Sequence, residues 1–331
     1  MSQTDYVWLQ VNRYTGTTQN AVSLLAGISS RAAKGGATVK YSENDTSIAA
    51  GASDVVVVVR SDDEGESHDR ANLTMRPEDS DILLRLHARL EDITGPAKRV
   101  VVVVISGGPV DTSLPALAQK TITSVIAAWQ PGEEGGTAIA QLLWGDQDFS
   151  SALAVTAYRQ NFTTALAIDN ISQAGRGYRY STDTTRDTEL YPYGYGLSYG
   201  DWDAPALKWA GAAAPTVHAG SMGNVSVAVT IKNTGTRTGS RPILLFAQRL
   251  PDVIDRPTTD GIIWPNKWLV AFGKAKDVAA GAEQTLSLTF GAEEMMRWAS
   301  SGFEVVAGKY QLTTIDQRGK EAASLALVVT K

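Results

Sequence analysis

Cysteine is absent from this chain of 331 residues, which excludes structural disulfides, thiol nucleophiles and cysteine-ligated zinc. Histidine is scarce as well. The three histidines, His68, His87 and His218, lie far apart and form no HExxH-type motif. The chain also lacks a P-loop and a GxGxxG fingerprint. We therefore expect no metal site and no cofactor.

Positive charge is not in excess, because 30 Lys and Arg face 35 Asp and Glu for a net charge of −5. This balance argues against nucleic acid or an anionic membrane surface as the main partner, since both need clustered positive charge. The longest Val and Ile runs have about five to seven residues, far fewer than the roughly 20 that span a bilayer. Residues 1–10 lack the basic and apolar regions of a signal peptide.

What the chain does have is a globular composition, with 43% apolar and 20% charged residues. At about 100–200 residues per domain, its length allows two domains. Asp54–Arg60 and Arg99–Ser106 each contain five consecutive valines. Such runs indicate strands buried on both faces, as in a parallel sheet. A helical stretch, about Glu78–Ile93, lies between them and predicts a right-handed βαβ unit.

The hydrophobic period changes after about residue 205. Val225–Ile231 alternates apolar and polar residues and ends in an Asn-Thr-Gly turn. Further strands are predicted at Pro242–Gln248, Gln284–Phe290, Lys309–Thr314 and Ala323–Val329. Short strands between such turns are typical of an antiparallel β-sandwich. We expect an α/β domain over residues 1–180, an aromatic connector over 181–210 and a β-sandwich over 211–331.

An acidic loop, Ser61–Arg70, directly follows the first valine strand. Ligands of α/β sheets bind beyond the carboxyl ends of strands. Glu64 and Glu66 are therefore candidates for a general acid/base carboxyl, a role that needs a raised pKa. From spacing alone, the more conservative interpretation is a solvated acidic loop.

Five of the nine asparagines lie in Asn-x-Ser/Thr sequons, an excess over the one or two expected by chance: Asn44, Asn72, Asn161, Asn170 and Asn224. The excess favours passage through a glycosylating secretory pathway. We therefore expect a secreted or cell-surface glycoprotein.

Several motifs follow one another along nearly the whole chain. They are Glu64-Gly-Glu-Ser-His-Asp-Arg70, Ser106-Gly-Gly-Pro-Val-Asp111, Trp129-Gln-Pro-Gly-Glu-Glu-Gly-Gly136, Gly175-Arg-Gly-Tyr-Arg-Tyr180, Tyr191-Pro-Tyr-Gly-Tyr-Gly-Leu-Ser-Tyr199, Asn233-Thr-Gly235, Trp268-Leu-Val-Ala-Phe-Gly273 and Gly308-Lys-Tyr310. In this order they resemble the C-terminal half of glycoside hydrolase family 3, the β-glucosidases and β-xylosidases.

The resemblance implies a fold and a chemistry. The fold is an α/β sandwich domain, with a mostly parallel sheet flanked by helices, followed by an all-β fibronectin type III-like sandwich. The chemistry is retaining hydrolysis at the non-reducing end of β-linked sugars, which needs a nucleophile and an acid/base. The family's nucleophilic Asp belongs to an N-terminal (β/α)₈ barrel, which this sequence does not contain. The implied partner is therefore a barrel domain or chain, or another protein that covers the exposed face.

The same resemblance assigns the acid/base to the acidic loop. Glu66 is the preferred residue because it lies three residues before Asp69-Arg70, and Glu64 is the other candidate. His68, Asp69 and Arg70 are the candidates for substrate binding. Ser67 replaces the family's usual Gly, a departure that also permits a drifted, non-catalytic relative.

Three functions remain open at this point. The first is that the chain is the C-terminal portion of a β-glycosidase and that this portion is inactive alone. The second is a non-catalytic interaction or structural protein that reuses this half of the family in a larger extracellular or surface assembly. The third is a lectin-like module that binds sugars on its Trp and Tyr faces. The identity of the sugar and the oligomeric state are not fixed by the sequence.

Overall fold

The computed structural model describes residues 20–61, 70–91, 98–113, 121–165, 175–181, 187–250, 264–299 and 302–331. The chain divides into two compact units. Unit 1 comprises Met1–Gln147, Ala157–Ile168 and Asp187–Leu190, and unit 2 comprises Asp148–Thr156, Asp169–Arg186 and Tyr191–Lys331.

Unit 1 is an α/β unit. Its helices and strands, in chain order, are α1 (Leu24–Lys34), β1 (Asp54–Arg60), α2 (Pro77–Glu91), β2 (Arg99–Ile105), β3 (Ser124–Ala127), α3 (Gly135–Trp144), β4 (Ala157–Tyr158) and α4 (Phe162–Ala165). A 3-10 helix, Thr46–Gly51, precedes β1. The predicted valine strands and the helix between them are confirmed. The sequence also predicts a helix at about Leu114–Leu117, and these residues lie outside the described ranges.

The central sheet of unit 1 has the order β1-β2-β3, and both pairings are parallel. The register joins Asp54 to Arg99 and Arg60 to Ile105 without a bulge. On one face, β1 and β2 pack with Leu83 and Leu86 of α2. The apolar residues of β2 are mostly buried, whereas Val55–Val58 of β1 are half-buried and only Val59 is fully buried. Continuous apolar runs of this kind are typical of parallel strands.

Unit 2 carries most of the strands. Its helices and strands are α5 (Gly177–Tyr180), β5 (Glu189–Tyr191, which begins in unit 1), β6 (Ala206–Trp209), β7 (Val217–His218), β8 (Val225–Lys232), β9 (Gly239–Arg249), β10 (Trp268–Val278), β11 (Glu283–Phe290), α6 (Ala292–Met295), β12 (Met296–Ala299), β13 (Gly302–Val305), β14 (Gly308–Ile315) and β15 (Glu321–Thr330). All of the predicted strands of this region are present.

Two sheets of unit 2 share one hydrophobic core. One sheet has the order β10-β9-β14-β15-β7 and the other β11-β8-β6. Alternate residues of β8, including Val227, Val229 and Ile231, meet residues of β9 and β14 such as Leu245 and Leu312 in the same cluster. The alternating pattern of the sequence therefore corresponds to inward-facing positions of a sandwich.

The aromatic segment after residue 190 packs within unit 2. The ring of Tyr193 stacks on Tyr178, with centroids 4.3 Å apart, and both rings meet the edge or face of Phe246. Burial raises the pKa of the Tyr193 phenol. These rings contact protein, so this structure assigns Tyr178 and Tyr193 to packing.

Thr314 is an exception in the sandwich core. It follows Tyr310 and Leu312 at the two-residue spacing of one strand face, and all three are fully buried. Its hydroxyl has no hydrogen-bond partner among the residues that the structure describes. Burying a hydroxyl without a partner costs roughly 1–3 kcal/mol.

We therefore predict that Thr314→Val raises the free energy of unfolding by about 1–2 kcal/mol. The measurement is urea denaturation followed by tryptophan fluorescence. The matched control is Thr230→Val on β8, whose hydroxyl pairs with that of Thr285 at 2.7 Å in a solvent-exposed position. The control should be neutral or slightly destabilising. Equal effects of the two variants would contradict this account of Thr314.

Candidate functional site

The candidate site is the edge of the parallel sheet where β1, β2 and β3 end. Arg60 pairs with Ile105, and Val104 pairs with Ala127. The three loops that follow the strands therefore emerge side by side. This is the place where open α/β sheets bind ligands.

The acidic loop leaves from this edge. Glu64, Glu66, His68 and Asp69 lie within 62–69, outside the described residues. The fifth predicted site residue, Arg70, is described. The Nη2 atom of Arg70 donates a hydrogen bond to the carbonyl oxygen of Pro109 at 2.9 Å, in the loop that follows β2.

The residues that flank the acidic loop, Ser61 and Arg70, are each held by contacts next to this edge of the sheet. At the start, Ser61 forms an antiparallel bridge with Met75, and the Arg76 amide donates to the Arg60 carbonyl at 3.1 Å. At the end, Arg70 lies against the Gly108-Pro109 turn, where a Cβ on Gly108 would come within 3.1 Å of Nη2. The structure therefore fixes where the eight residues 62–69 begin and end.

A buried carboxylate, Asp111, secures the chain that follows the loop. Its Oδ1 accepts hydrogen bonds from the amide, at 2.9 Å, and from the hydroxyl of Ser113. Its Oδ2 accepts from the Gln160 amide at 2.7 Å. The side-chain oxygen of Gln160 accepts from the Leu73 amide at 2.7 Å, and its nitrogen donates to Asn72 at 3.2 Å. Asp111 and Gln160 thus position residues 72–73, which follow the acidic loop in the chain.

The sequence alone does not reveal this network. Asp111 belongs to one of the motifs that carry the family resemblance, but Gln160 is 49 residues away and its neighbours are not periodic. A lone Gln in an irregular segment gives no sequence signal. Only the fold places it beside Asp111.

A second carboxylate, Asp79 of α2, secures the last residue of β1. Its Oδ2 accepts a hydrogen bond from the Arg60 amide at 2.8 Å and lies 4.0 Å from the Arg60 side chain. Burial raises the pKa of Asp79, and the Arg60 amide and guanidinium oppose this only in part. The end of the strand is therefore held by a carboxyl that resists ionisation.

The loop after β3 contains backbone strain. Trp129 has φ = 52°, a left-handed conformation that non-glycine residues rarely adopt. A residue in this conformation raises the free energy of the folded state by about 1–3 kcal/mol, and it persists only where its surroundings hold it. Its carbonyl oxygen accepts from the Ser106 amide at 3.3 Å, so the loops after β2 and β3 are joined at this edge.

The described histidines contact hydroxyl groups. Nδ1 of His87 lies 2.5 Å from Oγ1 of Thr121, and Nδ1 of His218 lies 2.7 Å from Oγ1 of Thr330. Within the described ranges, no three His, Asp or Glu side chains cluster as metal ligands would. A search of the same residues found no helix with the length and apolarity needed to cross a membrane.

The chain is similar to known proteins in sequence and in fold. The sequence profile of the glycosyl hydrolase family 3 C-terminal domain matches residues 6–199. A xylan 1,4-β-xylosidase of Xylanibacter ruminicola is 33% identical over 67% of this chain, and a probable β-D-xylosidase 7 of Arabidopsis thaliana is 28% identical over 81%. The chain spans only 23% and 37% of the length of these two relatives, within their C-terminal portions.

Solved structures share the fold. A family 3 exo-β-xylosidase, in complex with a xylobiose aziridine probe, has a TM-score of 0.78 and 21% identity over 98% of this chain and 43% of its own. A β-D-glucoside glucohydrolase from Trichoderma reesei has a TM-score of 0.73 and 22% identity over 94% of this chain and 45% of its own. At these identities the likeness shows the fold alone.

We predict that Asp111→Ala destabilises unit 1 by about 2–4 kcal/mol, because three donors lose their acceptor at a buried site. Urea denaturation is the measurement. The matched control is Asp81→Ala, whose carboxylate pairs with Arg85 at 2.9 Å on the exposed face of α2. The control should change stability by no more than about 0.5 kcal/mol. A small effect of Asp111→Ala would show that the network is dispensable.

A second prediction concerns pH. The folded-state pKa of Asp79 lies above its ordinary value of 3.8. At pH values between these two pKa values, the native state holds a proton that the unfolded chain has already released. Its contribution to the free energy of unfolding therefore falls as pH rises from the ordinary to the raised pKa. The stability difference, wild type minus Asp79→Asn, should decline with rising pH across this window. Denaturation at a series of pH values checks the sign, and a flat or rising difference would contradict it.

Proposed function

Because the chain belongs to glycosyl hydrolase family 3 and carries its C-terminal domain, we propose that it is the C-terminal portion of a retaining, exo-acting β-glycosidase of the β-xylosidase or β-glucosidase type. Its relatives include enzymes named as xylosidases and glucosidases. The observation that carries the proposal is the position of the acidic loop: its flanking residues, Ser61 and Arg70, are held at the edge of a parallel sheet where open α/β sheets generally bind ligands.

The loop supplies the acid/base in this proposal. Retaining hydrolysis places two carboxyls about 5–5.5 Å apart, one as nucleophile and one to protonate the leaving oxygen. Glu66 is the preferred acid/base and Glu64 the alternative. Arg70 supports substrate binding here, since its Nη1 is buried and has no hydrogen-bond partner within the described part of the chain. His68 and Asp69 belong to the same proposed binding set.

The nucleophile comes from a separate (β/α)₈ barrel domain or chain. Without it, no covalent glycosyl-enzyme forms, and a lone general acid contributes only about 10²–10⁴-fold. Enzymes typically reach rate enhancements of about 10⁶-fold or far more. The chain by itself is therefore inactive in this proposal, and it acts on β-linked sugars only with the barrel.

The proposal also includes the fold of unit 2 and the location of the protein. The paired sheets of unit 2 and their common core support a fibronectin type III-like sandwich. Secretion as a glycoprotein is supported by the sequons, of which Asn44, Asn161 and Asn224 are exposed. Asn170 lies outside the described residues, and Asn72 accepts a hydrogen bond from Gln160.

A second candidate function is a non-catalytic binding or structural module. One observation favours it: Trp298 and Phe303 face each other across β12 and β13, with ring centroids 5.1 Å apart, and are 62% and 69% exposed. Exposed aromatic pairs of this kind are common at interaction surfaces. On this alternative, binding survives the loss of Glu64 and Glu66.

The proposed acid/base role is tested by reconstitution. The partner is the part of the Xylanibacter ruminicola xylosidase that precedes the region matched by this chain. We predict that Glu66→Gln lowers hydrolysis of a methyl β-xyloside by about 10²–10⁴-fold, because the methoxide leaving group needs a proton. Hydrolysis of a 2,4-dinitrophenyl β-xyloside should fall far less at the glycosylation step, because its leaving group needs no proton.

Matched variants complete this experiment. Glu64→Gln on the same loop distinguishes the two candidates, and Glu43→Gln, which is exposed elsewhere in unit 1, should have no effect. If neither loop variant changes the reconstituted activity, the assignment of the acidic loop is wrong.

A further inference from the structure

A surface bend of unit 1 combines an acceptor asparagine with an exposed aromatic ring. The segment reads Tyr41-Ser-Glu-Asn-Asp-Thr46, in which Asn44 and Thr46 define one of the five sequons. The chain bends at Glu43 and Asn44. Asn44 is exposed, and Tyr41, three residues before it, is 48% exposed. The ring and the acceptor therefore lie on the same solvent-accessible stretch of chain.

Two side chains fix the backbone of this bend. The hydroxyl of Ser42 accepts hydrogen bonds from the amides of Asn44, at 3.3 Å, and of Asp45, at 2.8 Å. The guanidinium of Arg85, on α2, donates to the carbonyl oxygen of Asn44 at 2.8 Å and to the Asp81 carboxylate at 2.9 Å. The backbone of the acceptor residue is therefore anchored to α2 without the help of its own side chain.

The side chain of Asn44 is open to modification. Within the described part of the chain, its amide group makes no hydrogen bond, and the contacts of the residue involve its backbone. The next residue, Asp45, caps the 3-10 helix Thr46–Gly51, because its carboxylate accepts from the Ser47 amide at 2.8 Å. A bulky group on Nδ2 of Asn44 extends into solvent without displacing a partner.

Two other sequons have their acceptor side chains in hydrogen bonds. Asn72 is half-buried, and its Oδ1 accepts from the side-chain nitrogen of Gln160 at 3.2 Å. Asn161 is exposed, but its Nδ2 donates to the carbonyl oxygen of Asp187 at 3.4 Å. A glycan on either asparagine would compete with the contact that its side chain makes in the fold.

The aromatic neighbours of the sequons also differ. Tyr158 lies three residues before Asn161, but its ring stacks on Phe162 with centroids 3.7 Å apart. The three residues before Asn224 are Ser, Met and Gly. Among the sequons that the structure describes, Asn44 therefore combines an amide without a hydrogen bond and a nearby exposed ring.

We propose that Asn44 is an N-glycosylation site and that the first N-acetylglucosamine of its glycan packs on the ring of Tyr41. This rests on the glycoprotein part of the proposed function. The donor is a lipid-pyrophosphate-linked oligosaccharide. The Nδ2 atom of Asn44 forms a bond to the anomeric carbon of the sugar, while the bond from that carbon to the pyrophosphate oxygen breaks. The lipid pyrophosphate leaves with the bonding electrons, and the amide loses one proton.

The chemistry of the ring suits this sugar. One face of a pyranose ring presents C–H groups and is apolar, and tyrosine offers a flat apolar face with a polar end that stays in water. In a turn, residues three apart have Cα atoms within about 7 Å of each other. A sugar on the Asn44 side chain is then within reach of the Tyr41 ring.

Glycopeptide mapping tests the site. The full chain, preceded by a signal peptide, is produced in insect cells, and peptide N-glycosidase in heavy-oxygen water marks each occupied asparagine. Both the secreted chain and the chain retained in the cells are mapped, because the glycan is transferred before export. Most copies should carry a glycan at Asn44, and the secreted chain should carry none at Asn72. An unmodified Asn44 in both fractions, or a secreted chain in which Asn72 is modified as fully as Asn44, would overturn the proposal.

A double-mutant cycle tests the contact between the ring and the sugar. The parent, Tyr41→Ala, Asn44→Gln and the double variant are compared by urea denaturation, first from insect cells and then from bacteria that lack this glycosylation pathway. In the glycosylated protein, Tyr41→Ala should raise the equilibrium constant of unfolding by about 2–12-fold more in the parent than in Asn44→Gln, as expected for an aromatic contact. In the bacterial protein, the two effects should be equal.

The matched control is Asn224→Gln, which removes an exposed sequon without a preceding ring. It should show no coupling to Tyr41→Ala in protein from either host. Equal effects of Tyr41→Ala with and without the glycan at Asn44 would overturn the sugar contact. Because neither test measures hydrolysis, a failure here leaves the acid/base assignment intact. A reconstituted enzyme that is glycosylated at Asn44 but insensitive to both loop variants would count against the catalytic proposal alone.

Discussion

The parallel pairing of β1 with β2 is the constraint on which the rest of unit 1 depends. Seven residue pairs in unbroken register bring the carboxyl ends of both valine strands to one edge. The acidic loop and the Gly108-Pro109 turn emerge there as a consequence, and the pairing of β3 with β2 brings the strained Trp129 to the same edge. Burial of the valine side chains stabilises the pairing, with a fully buried valine contributing about 1.5–3 kcal/mol.

The fold was predictable wherever the hydrophobic pattern was strong. The two valine runs, α2 and the alternating strands of unit 2 all appear close to their expected positions. The helix α1 was missed because its buried face consists of Leu24, Gly27 and Ala32, and small residues give little hydrophobic contrast. The strand Trp268–Val278 was not predicted, although Trp268–Gly273 was noted as a motif of the resemblance, because the second half of the strand is rich in charged residues. The β12–β13 hairpin lacks a clear alternation and was also missed.

The place of the candidate site in the chain was predictable, but the contacts that hold the ends of the loop were not. Position after a buried strand was enough to single out residues 61–70, and Arg70 now has a defined contact with Pro109. The groups that hold the loop ends, Asp79 and the Asp111–Gln160 pair, act over long sequence separations. Such contacts depend on tertiary packing, which neither local propensity nor motif spacing encodes. The catalytic roles of Glu64 and Glu66 stay predictions.

In the proposed function, this chain provides the acid/base and the barrel provides the nucleophile. A 2-deoxy-2-fluoro-β-xylosyl fluoride traps the glycosyl-enzyme of a retaining glycosidase. The 2-fluorine slows both steps, but the good leaving group, the anomeric fluoride, keeps the first step faster than the second. Intact mass spectrometry of the reconstituted mixture then identifies the labelled polypeptide. The proposal predicts one sugar on the barrel polypeptide and none on this chain. A covalent sugar on this chain would contradict it.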